Sequence, residues 1–188
     1  YGEESGITSP ISALKDTMSS FISVAQPSLF SPGDVVRVHR GSSTQTSIYA
    51  NYVVEVTEVT STGIHVSAPL FYRFFPDGAL VTKVNALRDV TILGGEFIAH
   101  GQTSRANGIG GVYFTYSKNC RVIGAKFRGF WFKGVKFTYC TDVSVDSVHT
   151  SDPAAVGGGE GYNIQFEYCT NFQANEVTSN LCRHNVDI

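Results

Sequence analysis

Four stretches of the sequence repeat one pattern of side chains, and this repeat constrains the fold more than any other feature. Three of them align without gaps and read GVYFTYSKN, GVKFTYCTD and NIQFEYCTN, beginning at Gly111, Gly134 and Asn163. A fourth begins with NVDI at Asn185, and the copies start 23, 29 and 22 residues apart. A constant strand pattern with irregular spacing is typical of stacked coils that carry loops of different length.

Within each copy, apolar residues alternate with polar ones at the period of a β-strand. Stacking like on like would form continuous ladders of side chains inside the coils, because one coil cannot bury its own apolar face. We expect three such ladders, one β-branched, one of phenylalanine and one of tyrosine. Their members are Val112, Val135, Ile164 and Val186; Phe114, Phe137, Phe166 and Ile188; and Tyr116, Tyr139 and Tyr168.

A short polar residue ends each of these strands: Asp89, Asn119, Asp142 and Asn171. Asx side chains suit a tight bend, because they bond nearby backbone and tolerate left-handed angles. A second strand follows each bend, as in Val143–Val145. The sequence therefore predicts an all-β protein, a single-stranded right-handed parallel β-helix. An antiparallel sandwich is the alternative, and the gap-free recurrence of these features disfavours it.

The residues before the repeat follow other patterns. Ser9-Pro10 is a helix-start signature, and Ile11, Leu14, Met18, Phe21, Ile22 and Ala25 recur at helical spacing. We expect a helix over 9–25 that caps the open end of the coils. Two alternating stretches joined by the turn TSTG, Tyr52–Val59 and Gly63–Tyr72, predict a β-hairpin. The predicted segments are 1–29 with the capping helix, 30–78 with the hairpin excursion and first strands, and 79–188 with the coils.

Charge and hydropathy exclude some classes of function. The net charge of −2 argues against a general nucleic-acid binder, which needs clustered lysine and arginine. No apolar run approaches the roughly 18 residues of a membrane span. The chain opens at Tyr1 and stops at Ile188 inside an alternating pattern, so we expect a piece of a longer protein, truncated at the C-terminal end of the coils.

Two strings carry a family resemblance. NALRDVTILGGEF (Asn85–Phe97) and GIGGVYFTYSKNCRVIGAKF (Gly108–Phe127) resemble the pectate-lyase-like β-helix superfamily. With the preceding PGDVVRV and hairpin, the chain is similar over residues 9–188 to the receptor-binding tailspikes and appendage proteins of bacteriophages. Members often carry an Asp-Asp-Thr signature in their N-terminal helix, and Lys15-Asp16-Thr17 matches it only in part.

The resemblance implies a homotrimer of the virion tail, folded in the host cytoplasm, that contacts other tail proteins and binds a bacterial surface glycan. It leaves open whether the protein also depolymerises that glycan as a glycoside hydrolase or polysaccharide lyase, because these coils serve enzymes and adhesins alike. A secreted bacterial polysaccharide lyase, hydrolase or epimerase is one alternative. A non-catalytic structural fibre segment is the other.

Insertions indicate where a site could lie, because stacked coils accept extra residues at their corners. The corner before each copy of the repeat holds most of them, so its loops should stack into one ridge. This corner carries the candidate substrate-binding residues His100, Arg105, Trp131, Lys133, His149 and Tyr162 and the candidate catalytic residues Asp152, Glu160, Arg183 and His184.

Two chemistries fit these residue types. Hydrolysis needs two carboxylates flanking the bond, and Asp152 and Glu160 are the acids of this ridge. Lyase or epimerase chemistry needs a base beside a sugar carboxylate and a cation to neutralise it, which His149 or His184 could provide with Arg183 or Lys133. Each histidine has a structural alternative as a solvated corner residue, Asp152-Pro153 as a turn, and Trp131 as corner packing.

The four cysteines predict neither a metal site nor a cofactor. They lack the Cys-x-x-Cys spacing of a zinc site, and nothing in the sequence calls for a cofactor. Cys140 and Cys169 occupy the same position in adjacent coils and should stack about 4.8 Å apart. We expect reduced thiols that pack, which fits folding in a bacterial cytoplasm.

Overall fold

The computed structural model describes residues 1–13, 15–40, 50–71, 73–74 and 76–188. Leu14 of the expected helix therefore lies outside the described residues, as do residues 41–49, Tyr72 and Phe75 of the expected hairpin segment. In the described part the protein is all-β, with two short 3-10 helices at Pro27–Leu29 and Arg105–Asn107. That part holds no helix with the length and apolarity to cross a bilayer. Its acidic, histidine and cysteine side chains form no group suited to a metal ion.

The N-terminal part forms one antiparallel sheet. Its strands are β1 Glu3–Pro10, β2 Ser19–Ser23, β3 Val35–Arg40, β4 Asn51–Val59, β5 Gly63–Leu70 and β6 Ala79–Asn85. Their order in the sheet is β1-β6-β3-β4-β5-β2, and β4 and β5 form the expected hairpin. Backbone hydrogen bonds from Ser12 to Ser23 and from Ala25 to Pro10 join the two outer strands, so the sheet curls around its core.

A charged side chain lies in the core of this sheet. Lys15 is 2% exposed among buried aliphatic and aromatic residues such as Phe74 and Leu70. Its ammonium donates to the backbone carbonyls of Asp16 at 2.5 Å and Leu70 at 2.8 Å. Burial lowers the pKa of Lys15, and the nearby Asp16 carboxylate opposes that shift.

The expected capping helix over 9–25 is wrong. Ser9–Pro10 ends β1, Ser19–Ser23 is β2, and Ile11 pairs with Val24 in an antiparallel bridge. Met18, placed on the apolar helix face, is 59% exposed and has a φ of 60°. Ile22 and Val24 are buried at the period of a strand, so tertiary pairing prevails over the helical spacing that six apolar positions satisfy in the sequence.

Three parallel sheets follow. We call them the first, second and third parallel sheets. One pass of the chain through all three is called a coil. The first contains β10 Val112–Thr115, β14 Lys133–Thr138, β17 Tyr162–Glu167 and β20 Val186–Asp187. The second contains β7 Leu87–Arg88, β8 Thr91–Leu93, β11 Ser117–Lys118, β12 Arg121–Ile123, β15 Thr141–Asp146 and β18 Thr170–Asn175. The third contains β9 Glu96–Ile98, β13 Lys126–Arg128, β16 His149–Ser151 and β19 Thr178–Asn180.

The register of the first parallel sheet confirms the repeat. Val112 pairs with Val135 and Val135 with Ile164, in parallel and without a shift. The Phe137 ring stacks on Phe114 at 5.0 Å and on Phe166 at 5.5 Å between centroids. These aliphatic and phenylalanine ladders fill the core between the three parallel sheets. Ile188, expected as the last member of the phenylalanine ladder, is 84% exposed and does not belong to this core.

The tyrosine ladder lies on the other side of the chain, which corrects the expectation of an inner ladder. Tyr116, Tyr139 and Tyr168 stack at 5.1 and 4.9 Å between centroids, but their φ angles are 48°, 55° and 55°. A left-handed residue interrupts the period-two alternation, so the rings leave the coil core. Tyr116 and Tyr139 pack instead against Val35, Val53 and Val84 of the antiparallel sheet.

The corner residues behave as predicted. Asp89, Asn119, Asp142 and Asn171 all have left-handed φ angles, between 51° and 58°. Their side chains also bond between coils, with Asn119 donating to Asp89 at 2.6 Å and Asn171 donating to Asp142. The division into segments 1–29, 30–78 and 79–188 stays a prediction; β6 pairs within the antiparallel sheet, and β7 is the first strand of a parallel one.

All four cysteines are free thiols. Cys140 and Cys169 follow one another in adjacent coils, and the Ser117 hydroxyl lies 3.1 Å from the Cys140 sulfur. Burial raises the pKa of Cys169 well above its ordinary value, and the neighbouring Cys140 thiol raises it further. Cys140 is buried and Cys169 packs partly buried against it in the coil core, so both thiols serve as packing groups.

Candidate functional site

The inserted loops before the first parallel sheet are joined by backbone hydrogen bonds. The amide of Trp131 donates to Ile109 at 3.1 Å, Gly161 donates to Trp131 at 3.0 Å, and Arg183 donates to Gly161 at 2.9 Å. Segments far apart in sequence therefore lie side by side along the stacking direction. We call residues 99–111, 129–133, 152–162 and 181–184 the corner ridge.

Tyr162 lies at the centre of a basic cluster on the corner ridge. The Lys133 ammonium is 5.2 Å and the Arg183 guanidinium carbon 5.6 Å from the centroid of its ring. The His184 imidazole meets the same ring edge-on at 5.0 Å. Tyr162 is 8% exposed, so its ring supports these groups by cation–π and edge contacts and offers little free face for stacking a ligand.

The local structure fixes Lys133 in this cluster. Lys133 begins β14, where it pairs in register with Tyr162 of β17, and its ammonium donates to the Gly159 carbonyl at 2.8 Å. Burial lowers the pKa of Lys133, and the nearby cations Lys136 and Arg105 lower it further, whereas the carboxylates of Glu167 and Asp187 oppose the shift without reversing it. A half-buried ammonium whose pKa is lowered in this way gains from the approach of an anion.

An ion pair flanks the cluster. Glu160 is 9% exposed, and its carboxylate lies 3.3 Å from the guanidinium of the exposed Arg105. The capping arrangement of Ser104 and Asn107 orders the short helix that carries Arg105. Two predicted residues from different loops are therefore joined directly.

Trp131 lies half-buried at the same corner. A Cβ at Gly108 would come within 2.6 Å of the indole, so that position admits only glycine beside the ring. The indole Nε1 is buried and has no hydrogen-bond partner among the described residues. The ring packs the ridge, and its role in binding stays a prediction.

Within the described residues, no hydrogen bond, ion pair or ring contact joins three of the predicted residues to the basic cluster. His100 is exposed after β9, and Asp152 is exposed at a left-handed turn with a φ of 51°. His149 belongs to β16 in the third parallel sheet, where its Nδ1 lies 2.9 Å from the Thr178 hydroxyl. Within the described residues no hydrogen bond or ion pair joins Asp152 to Glu160, so the pair needed for hydrolysis stays a prediction.

A second surface was missed by the sequence reasoning. A polar groove of about 370 Å³ lies on the outer face of the second parallel sheet, built by three adjacent coils. Outward positions of β12, β15 and β18 align across it, Arg121 with Ser144 and Ser144 with Gln173. The signal in the sequence is the row of polar alternate residues in these second strands, such as Arg121, Ser144 and Gln173. The groove is lined by Asn119, Arg121, Ile123, Asp142, Val143, Ser144, Asp146, Asn171, Gln173 and Asn175.

The chain resembles known proteins in its structure but not detectably in its sequence. No family model matches the sequence, and no curated protein matches it. The tailspike gp61 of Pseudomonas phage phi297 superposes with a TM-score of 0.71 at 16% identity, over 96% of this chain. The tailspike gp49 of Pseudomonas phage LKA1 gives 0.67 at 20% identity over 90%. The Gp54 tailspike of Acinetobacter baumannii bacteriophage AP22, solved with A. baumannii capsular saccharide, gives 0.52 at 11% over 89%.

The fold is tailspike-like. At these identities the likeness concerns the fold alone. The chain spans 31% of the phi297 tailspike, 28% of the LKA1 tailspike and 38% of the AP22 tailspike.

Proposed function

We propose that this chain is part of a phage tail receptor-binding protein that recognises a bacterial surface polysaccharide. The tailspike-like fold, shared over 96% of the chain with the phi297 protein, is the observation that carries the proposal. The AP22 tailspike, solved with a capsular saccharide, supports a glycan as the ligand. The protein then belongs to the virion tail, as a homotrimer in contact with other tail proteins.

The parallel sheets support the finer fold proposal. Successive strands of one sheet come from successive coils, which is the pairing of a single-stranded parallel β-helix. We infer that the helix is right-handed and pectate-lyase-like, since parallel crossover connections in proteins are right-handed in nearly all cases. Its outer faces then present loops and alternate strand residues to a ligand.

We place the polysaccharide on the corner ridge. A polymer can follow a ridge along the stacking axis, where each coil adds about 4.8 Å. Arg183 and His184 at one rung, Tyr162 at the next and Lys133 at the third offer it a row of donors. Tyr162 acts in this proposal as the residue that positions its basic neighbours.

Cleavage is a secondary proposal, favoured by the basic pair on Tyr162. An imidazole beside a guanidinium can remove a proton next to a sugar carboxylate while the cation stabilises the charge that develops. In this proposal His184 is the base and Arg183 the stabilising cation. Asp152 and Glu160 remain the candidates for a hydrolytic mechanism.

The experiment uses the whole protein that contains this chain, with capsule, lipopolysaccharide and teichoic acid from a panel of bacteria. We expect one polymer to bind, and the double variant Arg183→Ala/His184→Ala to weaken binding by about tenfold or more, the scale of a charge-assisted hydrogen bond. The matched control is Ser144→Ala/Gln173→Ala in the polar groove, which should bind normally. New reducing ends or absorbance from unsaturated sugars would detect cleavage.

The binding and cleavage results distinguish a receptor-binding protein from a depolymerase and from a structural fibre segment. Binding without product leaves a receptor-binding protein and removes the depolymerase. Loss of binding in the groove variant alone moves the site to the second parallel sheet. If no polymer binds, the receptor-binding proposal is wrong and the structural fibre segment replaces it.

A further inference from the structure

The basic cluster has two cationic side chains that form no ion pair within the described residues. The ammonium of Lys133 and the guanidinium of Arg183 both lie over Tyr162, and within the described residues neither has a carboxylate at ion-pair distance. The Tyr162 hydroxyl, ring and backbone bring no negative charge of their own. Both cations therefore remain available to pair with an anion that approaches the ridge.

Three acids near the cluster have other partners. Glu167 forms an ion pair with Lys136 at 2.7 Å, and Asp187 accepts a hydrogen bond from Gln165 at 2.7 Å. Glu160 is held by Arg105. The charges of Glu167 and Asp187 act on Lys133 from a distance, and Asp152 is an exposed acid of the ridge, but within the described residues none of these acids forms an ion pair with Lys133 or Arg183.

The positions of Lys133 and Arg183 favour an extended ligand. Lys133 and Tyr162 are in register on neighbouring strands, and the His184 carbonyl on the following rung accepts a hydrogen bond from the Asn163 amide, next to Tyr162. The two cations thus flank one buried ring from opposite sides along the stacking axis. A ligand that runs along this axis meets a cation on each side of Tyr162, which favours a polymer that carries an anionic group.

We infer that the polysaccharide recognised here is acidic, with carboxylate or phosphate groups bound by Lys133 and Arg183; this inference rests on the receptor-binding function proposed above. A guanidinium pairs bidentately with either group, and a lysine binds them as a point charge. Tyr162 is a positioning residue that holds both cations in place. The lowered pKa of Lys133 supports this arrangement, since an anion offsets its cause.

The test compares one bound polymer with chemically neutralised copies of itself. We expect carboxyl reduction of a uronate-bearing polymer, or removal of phosphate from a phosphorylated one, to weaken binding by about tenfold or more. Which treatment acts identifies the anionic group. Binding of the untreated polymer should also fall with added salt, and less steeply for Lys133→Met and Arg183→Met than for the native protein.

Control variants distinguish an effect of net charge from the specific roles of Lys133 and Tyr162. Lys126→Met removes an exposed positive charge from the third parallel sheet and should leave binding unchanged. Tyr162→Phe keeps the ring and should retain affinity, whereas Tyr162→Leu should weaken it as the cations lose their support. Circular dichroism and melting temperature confirm that each variant is folded.

Two results would overturn the inference in different ways. If the neutralised polymer binds as tightly as the untreated one, the ligand is not recognised by its charge, while the receptor-binding function stands. If no polymer binds at all, the receptor-binding function and the acidic ligand both fail. Equal loss in Lys126→Met and Lys133→Met also contradicts the inference, because it would assign the effect to net charge.

Discussion

The guanidinium of Arg37 lies 4.5 Å from the ring centroid of Tyr139 and joins the antiparallel sheet to the parallel coils. The same group donates to Glu4 at 2.6 Å and to the Tyr116 hydroxyl at 3.3 Å. Tyr116 in turn donates to Glu4 at 3.0 Å. The outward tyrosine ladder is therefore the surface on which the N-terminal sheet docks.

Replacing Arg37 should loosen this docking. In Arg37→Met the cation–π contact and the ion pair are lost together, and we expect the unfolding free energy to fall by about 1–2 kcal/mol. Urea unfolding followed by tryptophan fluorescence and by far-UV circular dichroism measures it. Arg73→Met, which removes an exposed pair with Asp16, is the control and should change little. Equal loss in both variants would contradict the docking role.

Acid should weaken the same contact. Burial favours a raised pKa for Glu4, but hydrogen bonds from Arg37 and Tyr116 outweigh it and lower the pKa below its ordinary value. A lowered folded-state pKa stabilises the protein above the ordinary pKa of glutamate, and this stability is lost as pH falls through the folded value. The stability difference between the native protein and Glu4→Gln should shrink between about pH 6 and pH 3. A constant difference would show that Glu4 has the same pKa in both states.

The coils were predictable from the sequence because the residue pattern that specifies each strand is short and recurs in every coil. Val112, Val135 and Ile164 each occupy the same step of a short alternating pattern, and parallel pairing follows from stacking these steps in register. The left-handed corner at Asn119 was also predictable, since the Asx preference for such angles is a property of the residue itself.

The N-terminal sheet was not predictable in the same way. Ile11 and Ile22 fit the apolar face of a helix as well as they fit a strand, and only their pairing partners decide between the two. Tyr116 was misplaced because alternation carries no information on the sign of φ, and one left-handed residue reverses the direction of its side chain.

The candidate site was predictable only as a location. Insertions indicated that the loops of Lys133, Tyr162 and Arg183 would lie together, and their backbone contacts place them so. That Tyr162 is buried beneath its basic neighbours depends on side-chain packing, which neither spacing nor composition encodes. The ion pair of Arg105 with Glu160 likewise depends on how two long loops fold back.

The phenylalanine ladder should contribute strongly to stability. Phe137 is 0% exposed between Phe114 and Phe166, so Phe137→Ala should lower the unfolding free energy by about 3–5 kcal/mol through lost burial and a cavity. Phe71 is 65% exposed, and Phe71→Ala should stay within about 0.5 kcal/mol of the native protein. Denaturant titration compares them. Equal small losses would show that the ring of Phe137 is not packed in a continuous core.

The buried Lys15 predicts a dependence of stability on alkaline pH. Because burial lowers its folded-state pKa, the unfolded chain binds the proton more tightly in the window below the ordinary lysine pKa, and the unfolding free energy rises with pH there. Relative to Lys15→Met, the native protein should gain stability as the pH rises toward 10.5, the ordinary pKa of lysine. Groups that titrate in both proteins cancel in this difference. A difference that does not change with pH would mean that Lys15 keeps its solution pKa.

The left-handed corners predict an order among substitutions at Asn119. Its φ is 53° and its amide donates to Asp89 at 2.6 Å. Asn119→Ala loses this bond and adds the cost of a left-handed alanine, about 1–2 kcal/mol. Asn119→Gly loses the bond but tolerates the angle, so it should be the milder change. Melting temperatures rank the two variants, and a milder alanine would argue against a left-handed corner.

Gly111 marks the closest approach of two coils. A Cβ at this position would overlap the Gly134 carbonyl oxygen of the next coil and lie 2.7 Å from the Phe127 ring. A backbone oxygen cannot move aside as the end of a flexible side chain can. Gly111→Ala should therefore lower the unfolding free energy by about 1–3 kcal/mol or more.

Gly157 is the matched control, because a Cβ there meets no atom within 4 Å. Gly157→Ala should therefore melt within a few degrees of the native protein, whereas Gly111→Ala should melt well below it. The same denaturation assay on both variants decides the point. If the two alanine variants melt together, the coils do not approach each other at Gly111 as closely as the register of β10 and β14 requires.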